Sequence, residues 1–304
     1  PKARQAKSKA RLERYEQMVA EASAAKKLDF ADITIPVGPR LGAKVLVAEH
    51  LHKEFDGRVL IDDLSFELPR NGIVGVIGPN GVGKTTLLNA LAGIRVPGSF
   101  SSLEADGVPV TERAAFRRAV FLAPGDGSLL YPDLTAEQHL RLLARFWGLD
   151  LDIPAVMGRF GLASYGRKRV RSYSQGMRQS LVLALAFSSG ARYLLLDEPL
   201  NALDPGRCEE AEGWVREAVA EGRGVVVSSH LLDSQDRVAD VLWLMADGTV
   251  GEAAVGDGAA RRQYRRAFGG DGDAADGGGR GSGEDGGGGP DPAPRRPRHL
   301  RPGA

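Results

Sequence analysis

Residues 78–86 read Gly-Pro-Asn-Gly-Val-Gly-Lys-Thr-Thr, and no other run constrains the chain as strongly. They fit the spacing Gly-x4-Gly-Lys-Ser/Thr, with Gly78, Gly83, Lys84 and Thr85 at the defining positions. The apolar run Ile73–Ile77 ahead of the loop reads as a strand, and Thr85–Leu91 behind it reads as a helix. Gly78, Gly81 and Gly83 let the backbone curl so that loop N–H groups point at phosphate oxygens. Asn80 and Thr86 fall within the same cradle, and the helix start adds its positive end. Lys84 is a compact charge for the β and γ phosphates, and the Thr85 hydroxyl is a ligand suited to Mg2+.

A second run sits where such a site needs acid. Residues 193–199 read Tyr-Leu-Leu-Leu-Asp-Glu-Pro, an apolar strand that delivers two carboxylates at its C-terminal end. In open α/β sheets that edge is where ligands bind. Asp197 is expected to hold Mg2+, directly or through water, and Glu198 to act as the base that orients the attacking water.

Residues 44–256 read as one α/β domain in which short β-branched runs alternate with helical stretches, the pattern of a mostly parallel sheet covered by helices. Residues near 45–68 read as an antiparallel meander, and 110–172 as mainly helical. Residues 1–30 are rich in Ala, Lys, Arg and Glu and predict a basic helix. Residues 31–43, broken by Pro and Gly, predict a linker. Residues 257–304 predict a disordered tail, because from Gly269 on Leu300 is the one large apolar residue. With 40 Lys+Arg against 39 Asp+Glu, the chain is not a wholesale polyanion binder. One cysteine, Cys208, excludes a disulfide scaffold and a multi-Cys metal site. The longest strongly apolar run, Leu181 to Phe187, falls short of the roughly 18 residues a spanning helix requires, and the expected location is cytoplasmic.

Further segments carry a resemblance. Tyr173-Ser-Gln-Gly-Met-Arg-Gln179 precedes the acidic pair and is similar to the signature motif of ATP-binding cassette (ABC) ATPases. Asn201-Ala-Leu-Asp204 resembles their D-loop, His230 their switch histidine, and Phe55 the aromatic that stacks on adenine. The resemblance implies an α/β P-loop NTPase of ABC type: a mostly parallel sheet, an antiparallel β subdomain and a helical subdomain. It implies binding and hydrolysis of ATP with Mg2+ by two cassettes paired head to tail. Ser174, Gly176 and Asp204 would then serve the partner's nucleotide, and His230 would contact the γ-phosphate. The family's Gln between subdomains is absent from Phe121–Ser128; Asp126 falls nearest and is a candidate metal ligand.

Below the family level the likeness divides. Arg4–Leu12, Ile35–Gly42 and Leu60–Phe66, within residues 1–94, resemble ABC-F translation factors, which implies a ribosome or tRNA partner. Residues from about 115 to 256, with Tyr131-Pro-Asp-Leu-Thr135 and the variant signature, resemble the ATP-binding subunit of a membrane exporter. That second likeness implies a membrane-spanning permease partner, a place on the inner face of the membrane, and transport as the first expectation. An ABC-F fragment and a non-hydrolysing nucleotide switch are the alternatives.

Overall fold

The computed structural model describes residues 46–268 apart from 56, 69–70, 95–99, 247 and 257. The expected helix over 1–30, the linker over 31–43 and the Gly/Pro-rich tail from 269 lie outside the described residues.

Ten strands and eight helices are described. β1 (Leu46–Phe55), β2 (Arg58–Leu68), β4 (Ser102–Ala105) and β5 (Val108–Pro109) form an antiparallel sheet in the order β2-β1-β4-β5. β3 (Ile73–Ile77), β6 (Val120–Ala123), β7 (Tyr193–Asp197), β8 (Gly224–Ser228), β9 (Val241–Ala246) and β10 (Thr249–Ala253) form the central sheet, ordered β10-β9-β3-β8-β7-β6. All its pairs are parallel except β9 with β10. The helices are α1 (Lys84–Leu91), α2 (Arg113–Ala119), α3 (Ala136–Trp147), α4 (Ile153–Arg159), α5 (Gln175–Ser188), α6 (Pro205–Ala220), α7 (Leu232–Val238) and α8 (Ala259–Phe268).

The central strands are apolar throughout because both faces are covered. Alternation divides each strand between two cores. Ile73, Ile77, Leu194, Leu196, Val225 and Val227 face a core completed by α3, α5 and α6. Val74, Val76, Tyr193, Leu195 and Val226 face a second core shared with the antiparallel sheet and α1. A single carboxylate ties the two sheets together. Asp106, in the β4–β5 turn with a left-handed φ of 55°, accepts the Tyr193 hydroxyl at 2.9 Å and is ion-paired with Arg192.

The helical subdomain is capped locally. Thr135 and Gln138 form a capping box at the start of α3, Asp152 caps α4 and Ser174 caps α5. His139 is buried inside α3; its Nδ1–H donates to Thr135 O (2.8 Å) while Nε2 accepts the Tyr131 N–H (2.9 Å). That arrangement is the neutral ring, and burial lowers the His139 pKa accordingly.

The ordered domain runs beyond the boundary at 256 expected from composition. Ala259 and Ala260 are buried, and the Asp236 carboxylate accepts the N–H groups of Gly256 (3.3 Å) and Ala260 (3.0 Å), which roots α8 on α7. Composition hid this helix because its anchor is two alanines and a carboxylate from another element.

On α6, Glu212 is buried and accepts Ser234 Oγ (2.8 Å) and both Arg237 Nε (3.1 Å) and Nη2 (2.5 Å). Burial opposes its ionisation, but the Arg237 and Ser234 hydrogen bonds and the charges of Arg237 and Arg216 outweigh burial and hold its pKa below the ordinary carboxylate value. A depressed folded pKa stabilises the fold above the unfolded value and ceases to do so as pH falls through the folded one. Glu212→Gln is expected to cost about 2 kcal/mol at neutral pH, a fall in Tm of roughly 4–8 °C. It should also flatten the acid side of the stability profile; thermal melts between pH 7 and 3 that superimpose with the parent's would refute this role.

Candidate active site

The parallel order β3-β8-β7 brings three strand ends to one edge, and each hands over to a functional segment. β3 runs into the phosphate loop, β7 into Asp197 and Glu198, and β8 into Ser228 and His230. Register makes the alignment specific: Asp197 pairs with Ser228 across β7 and β8.

The carboxylate of Asp197 is held at both oxygens. Oδ2 accepts Thr85 Oγ1 at 2.7 Å and Oδ1 accepts Ser228 Oγ at 2.5 Å. Glu198 follows with a left-handed backbone, φ 47°, uncommon outside glycine. Its N–H donates to Ser228 O (3.1 Å) and Ser228 Oγ (3.0 Å), contacts that hold the strained turn. Its side chain reaches between two partners: Oε1 lies 3.6 Å from Lys84 Nζ, and Oε2 lies 2.8 Å from His230 Nδ1 and accepts the His230 N–H at 3.3 Å.

Lys84 is buried and folds back on its own loop, donating to Gly78 O (2.7 Å) and Pro79 O (3.3 Å). Gly81 and Gly83 take left-handed backbone at φ 78° and 115°, which shapes the turn before α1. Asn80 and Gly81 are exposed at its tip, and Thr86 is half-buried on the first turn of α1. Thr85 and Asp197 are hard oxygen donors placed side by side, the chemistry that suits Mg2+. Among the described residues no group of three or more His, Cys, Asp or Glu assembles to hold a metal.

The remaining expected residues show local contacts. Ser174 accepts the Met177 N–H at 3.3 Å as the α5 cap, and Asp204 accepts the Arg207 N–H at 3.0 Å as the α6 cap. Gly176 lies against the D-loop, where an added Cβ would come within 2.6 Å of Ala202 O. Asp126 accepts the Ser128 N–H at 2.9 Å within its own turn. Its neighbour Gly125 abuts β7, where a Cβ would meet Asp197 O at 2.7 Å. Phe55 closes β1, and its side chain lies outside the described residues.

Sequence reading missed Ser228, which touches both acidic residues. Its signal was present: it follows the three valines Val225–Val227, two positions before His230. Gln179, read only as the end of the signature-like run, donates through Nε2 to Pro199 O at 3.0 Å and joins α5 to the acidic turn.

Lys84→Ala is expected to raise the Kd for ATP at least about tenfold, equivalent to roughly 1.4 kcal/mol, without unfolding the chain. Titration of a fluorescent ATP analogue checks this, and an unchanged Kd would remove the phosphate-loop assignment.

Comparison with known proteins agrees with the geometry. The family described as ABC transporter matches residues 61–201. The energy-dependent translational throttle protein EttA of Mycobacterium tuberculosis (strain ATCC 25618 / H37Rv) is 46% identical over 210 residues, covering 67% of this chain and 35% of that protein. The cobalamin import ATP-binding protein BtuD of Halobacterium salinarum (strain ATCC 29341 / DSM 671 / R1) is 37% identical over 213 residues, covering 67% of this chain and 53% of that one. A solved structure described as an ATP-binding subunit of an ABC transporter superposes with a TM-score of 0.64 at 26% identity, covering 74% of this chain and 95% of the other. The chain thus spans about a third of the length of its EttA relative. A phosphate loop, a clamped acidic pair, a histidine bonded to Glu198 and these likenesses together show that the chain belongs to the ATP-binding cassette family and carries its ATP-hydrolysing domain.

Proposed function

We propose that this site hydrolyses Mg-ATP to ADP and phosphate when a second cassette closes over it head to tail. The observation that carries the reading is the position of Glu198, between Lys84 and His230 at the end of β7. On ATP binding, Lys84 exchanges the carbonyls of Gly78 and Pro79 for phosphate oxygens. That exchange also weakens its hold on Glu198. Glu198 then orients a water and accepts its proton as the water oxygen bonds to the γ-phosphorus. The bond from that phosphorus to the bridging oxygen breaks, and ADP leaves with the electron pair. His230, steadied by Glu198, is the group we assign to contact the γ-phosphate. Thr85 and Asp197 would hold Mg2+, which when bound would supply charge neutralisation on the phosphate oxygens.

Ser174, Gly176 and Asp204 make their contacts within the helical subdomain and D-loop, which supports a role toward a partner's nucleotide. The partner is a second ABC cassette, in a homodimer or a heterodimer.

For the biological setting we favour a translation role with a ribosomal or tRNA partner. The 210-residue likeness to the translational throttle protein is longer than residues 1–94, so it extends into the part of the chain that resembles an exporter. One surface favours the second reading, an ATP-binding subunit at the inner face of a membrane. Tyr131 is 60% exposed. With Pro132, Asp133, Leu134 and Leu142 it lines an open groove of about 330 Å³ that a permease segment could enter. Among the described residues no helix is long and apolar enough to cross a membrane.

Glu198→Gln in the full chain is expected to cut turnover by about 10²–10⁴ while ATP binding persists and dimer accumulates. Turnover equal to the parent's would sink the base assignment, and a parent without turnover at any protein concentration would favour a nucleotide switch. In the same variant loaded with ATP, co-sedimentation with ribosomes supports the translation reading. Failure to co-sediment, with retention on membranes carrying a permease, supports the transporter reading.

A further inference from the structure

Ser228 ends β8 behind three valines and is fully buried. A parallel strand covered on both faces is served by apolar residues, and a hydroxyl there must be desolvated. The sheet itself asks only for the backbone of Ser228. Its hydroxyl is turned to the two acids instead. Oγ–H donates to Asp197 Oδ1 at 2.5 Å, the length of a charge-assisted bond, and Oγ accepts the Glu198 N–H at 3.0 Å. One side chain thus holds the carboxylate of the acid assigned to Mg2+ and the backbone of the acid assigned as base.

Glu198 depends on this contact most. Its φ of 47° is left-handed, a conformation that a residue other than glycine keeps only where its surroundings fix it. Its N–H is shared between two acceptors, both on Ser228: the carbonyl at 3.1 Å and Oγ at 3.0 Å. The turn sets the direction of the Glu198 side chain, and with it the placement of the carboxylate between Lys84 and His230. Asp197 is the second dependent, held by Thr85 at Oδ2 and by Ser228 at Oδ1. The histidine has separate support. The Ser229 N–H donates to Val76 O at 3.1 Å, and Ser229 Oγ accepts the Leu231 N–H at 2.9 Å, on either side of His230 in the chain. Ser229 therefore frames the histidine, and Ser228 frames the acids.

We propose that Ser228 is a positioning residue for hydrolysis: its hydroxyl locks Asp197 and the Glu198 turn into one arrangement and so aims the Glu198 carboxylate at the attacking water. The inference rests on the reading of Glu198 as the base. Being fully buried, Ser228 acts through the acids and not on ATP. Its loss should therefore appear in the rate rather than in ATP affinity, and a displacement of about 1 Å in such a group can cost about a hundredfold in rate.

The test uses the full chain and two comparisons, each of which changes the hydroxyl: the parent against Ser228→Ala, and Ser228→Thr against Ser228→Val. Threonine and valine share a β-branched shape, so crowding from the added methyl is common to the second pair. Turnover at saturating ATP, the Kd for a fluorescent ATP analogue and thermal melts are measured for each. Ser228→Ala should lose at least about tenfold in kcat against the parent, and Ser228→Val the same against Ser228→Thr, with Kd held in all four. A kcat for Ser228→Ala equal to the parent's would overturn the proposal. So would a Kd that rises as far as kcat falls, or a Ser228→Thr no faster than Ser228→Val, the pattern of a merely structural serine. Glu198→Gln run alongside separates the two readings. If it is inactive while Ser228→Ala matches the parent, the positioning role fails and the base stands. If it turns over like the parent, the base reading fails, and a slow Ser228→Ala still supports positioning, through Asp197.

Discussion

The carboxylate of Asp197 is the tie on which the site depends. One oxygen takes the hydroxyl of Thr85 at the start of α1, and the other takes the hydroxyl of Ser228 at the end of β8. Three elements far apart in sequence thus meet on one side chain, and the phosphate loop, the acidic turn and the approach to His230 keep a common alignment. The parallel register of β7 with β8 makes this possible, because it brings residues 197 and 228 level at the same sheet edge. A shift of one residue would turn Ser228 to the opposite face of the sheet and strip both Asp197 and the Glu198 N–H of a partner.

The charged groups at this sheet edge satisfy one another. Lys84 bonds its own loop carbonyls and approaches Glu198, so a buried ammonium is not left bare. Glu198 in turn holds His230.

Local signals made most of this legible. The phosphate loop and the acidic pair are contiguous motifs whose chemistry follows from residue type and spacing, and the central strands are runs of Val, Ile and Leu that two buried faces require. The parts that stayed hidden depend on distance. Ser228 is a serine at a strand end until the register sets it against Asp197. Helix α8 reads as the start of a solvated tail until Asp236 caps it from another helix. Gly125 and Gly176 read as loop glycines until the carbonyls of Asp197 and Ala202 are found within reach of a Cβ. Asp126, marked as a metal candidate by counting along the loop, accepts the Ser128 N–H within its own turn.

The joint between the two sheets bears on how such cassettes can be recombined. Asp106 lies in a turn of the antiparallel sheet, and its partners Arg192 and Tyr193 begin the strand that ends on Asp197 four residues later. A crossover between relatives placed anywhere from 107 to 191 would take Asp106 from one parent and Arg192 with Tyr193 from the other. A hybrid that mismatched them would cost the Tyr193 hydroxyl its bond to Asp106, at the foot of the strand that leads to the two acidic residues. Grafting the antiparallel sheet from one cassette to another is therefore a transplant of three residues at least, and the two that matter most to the recipient are not in the graft.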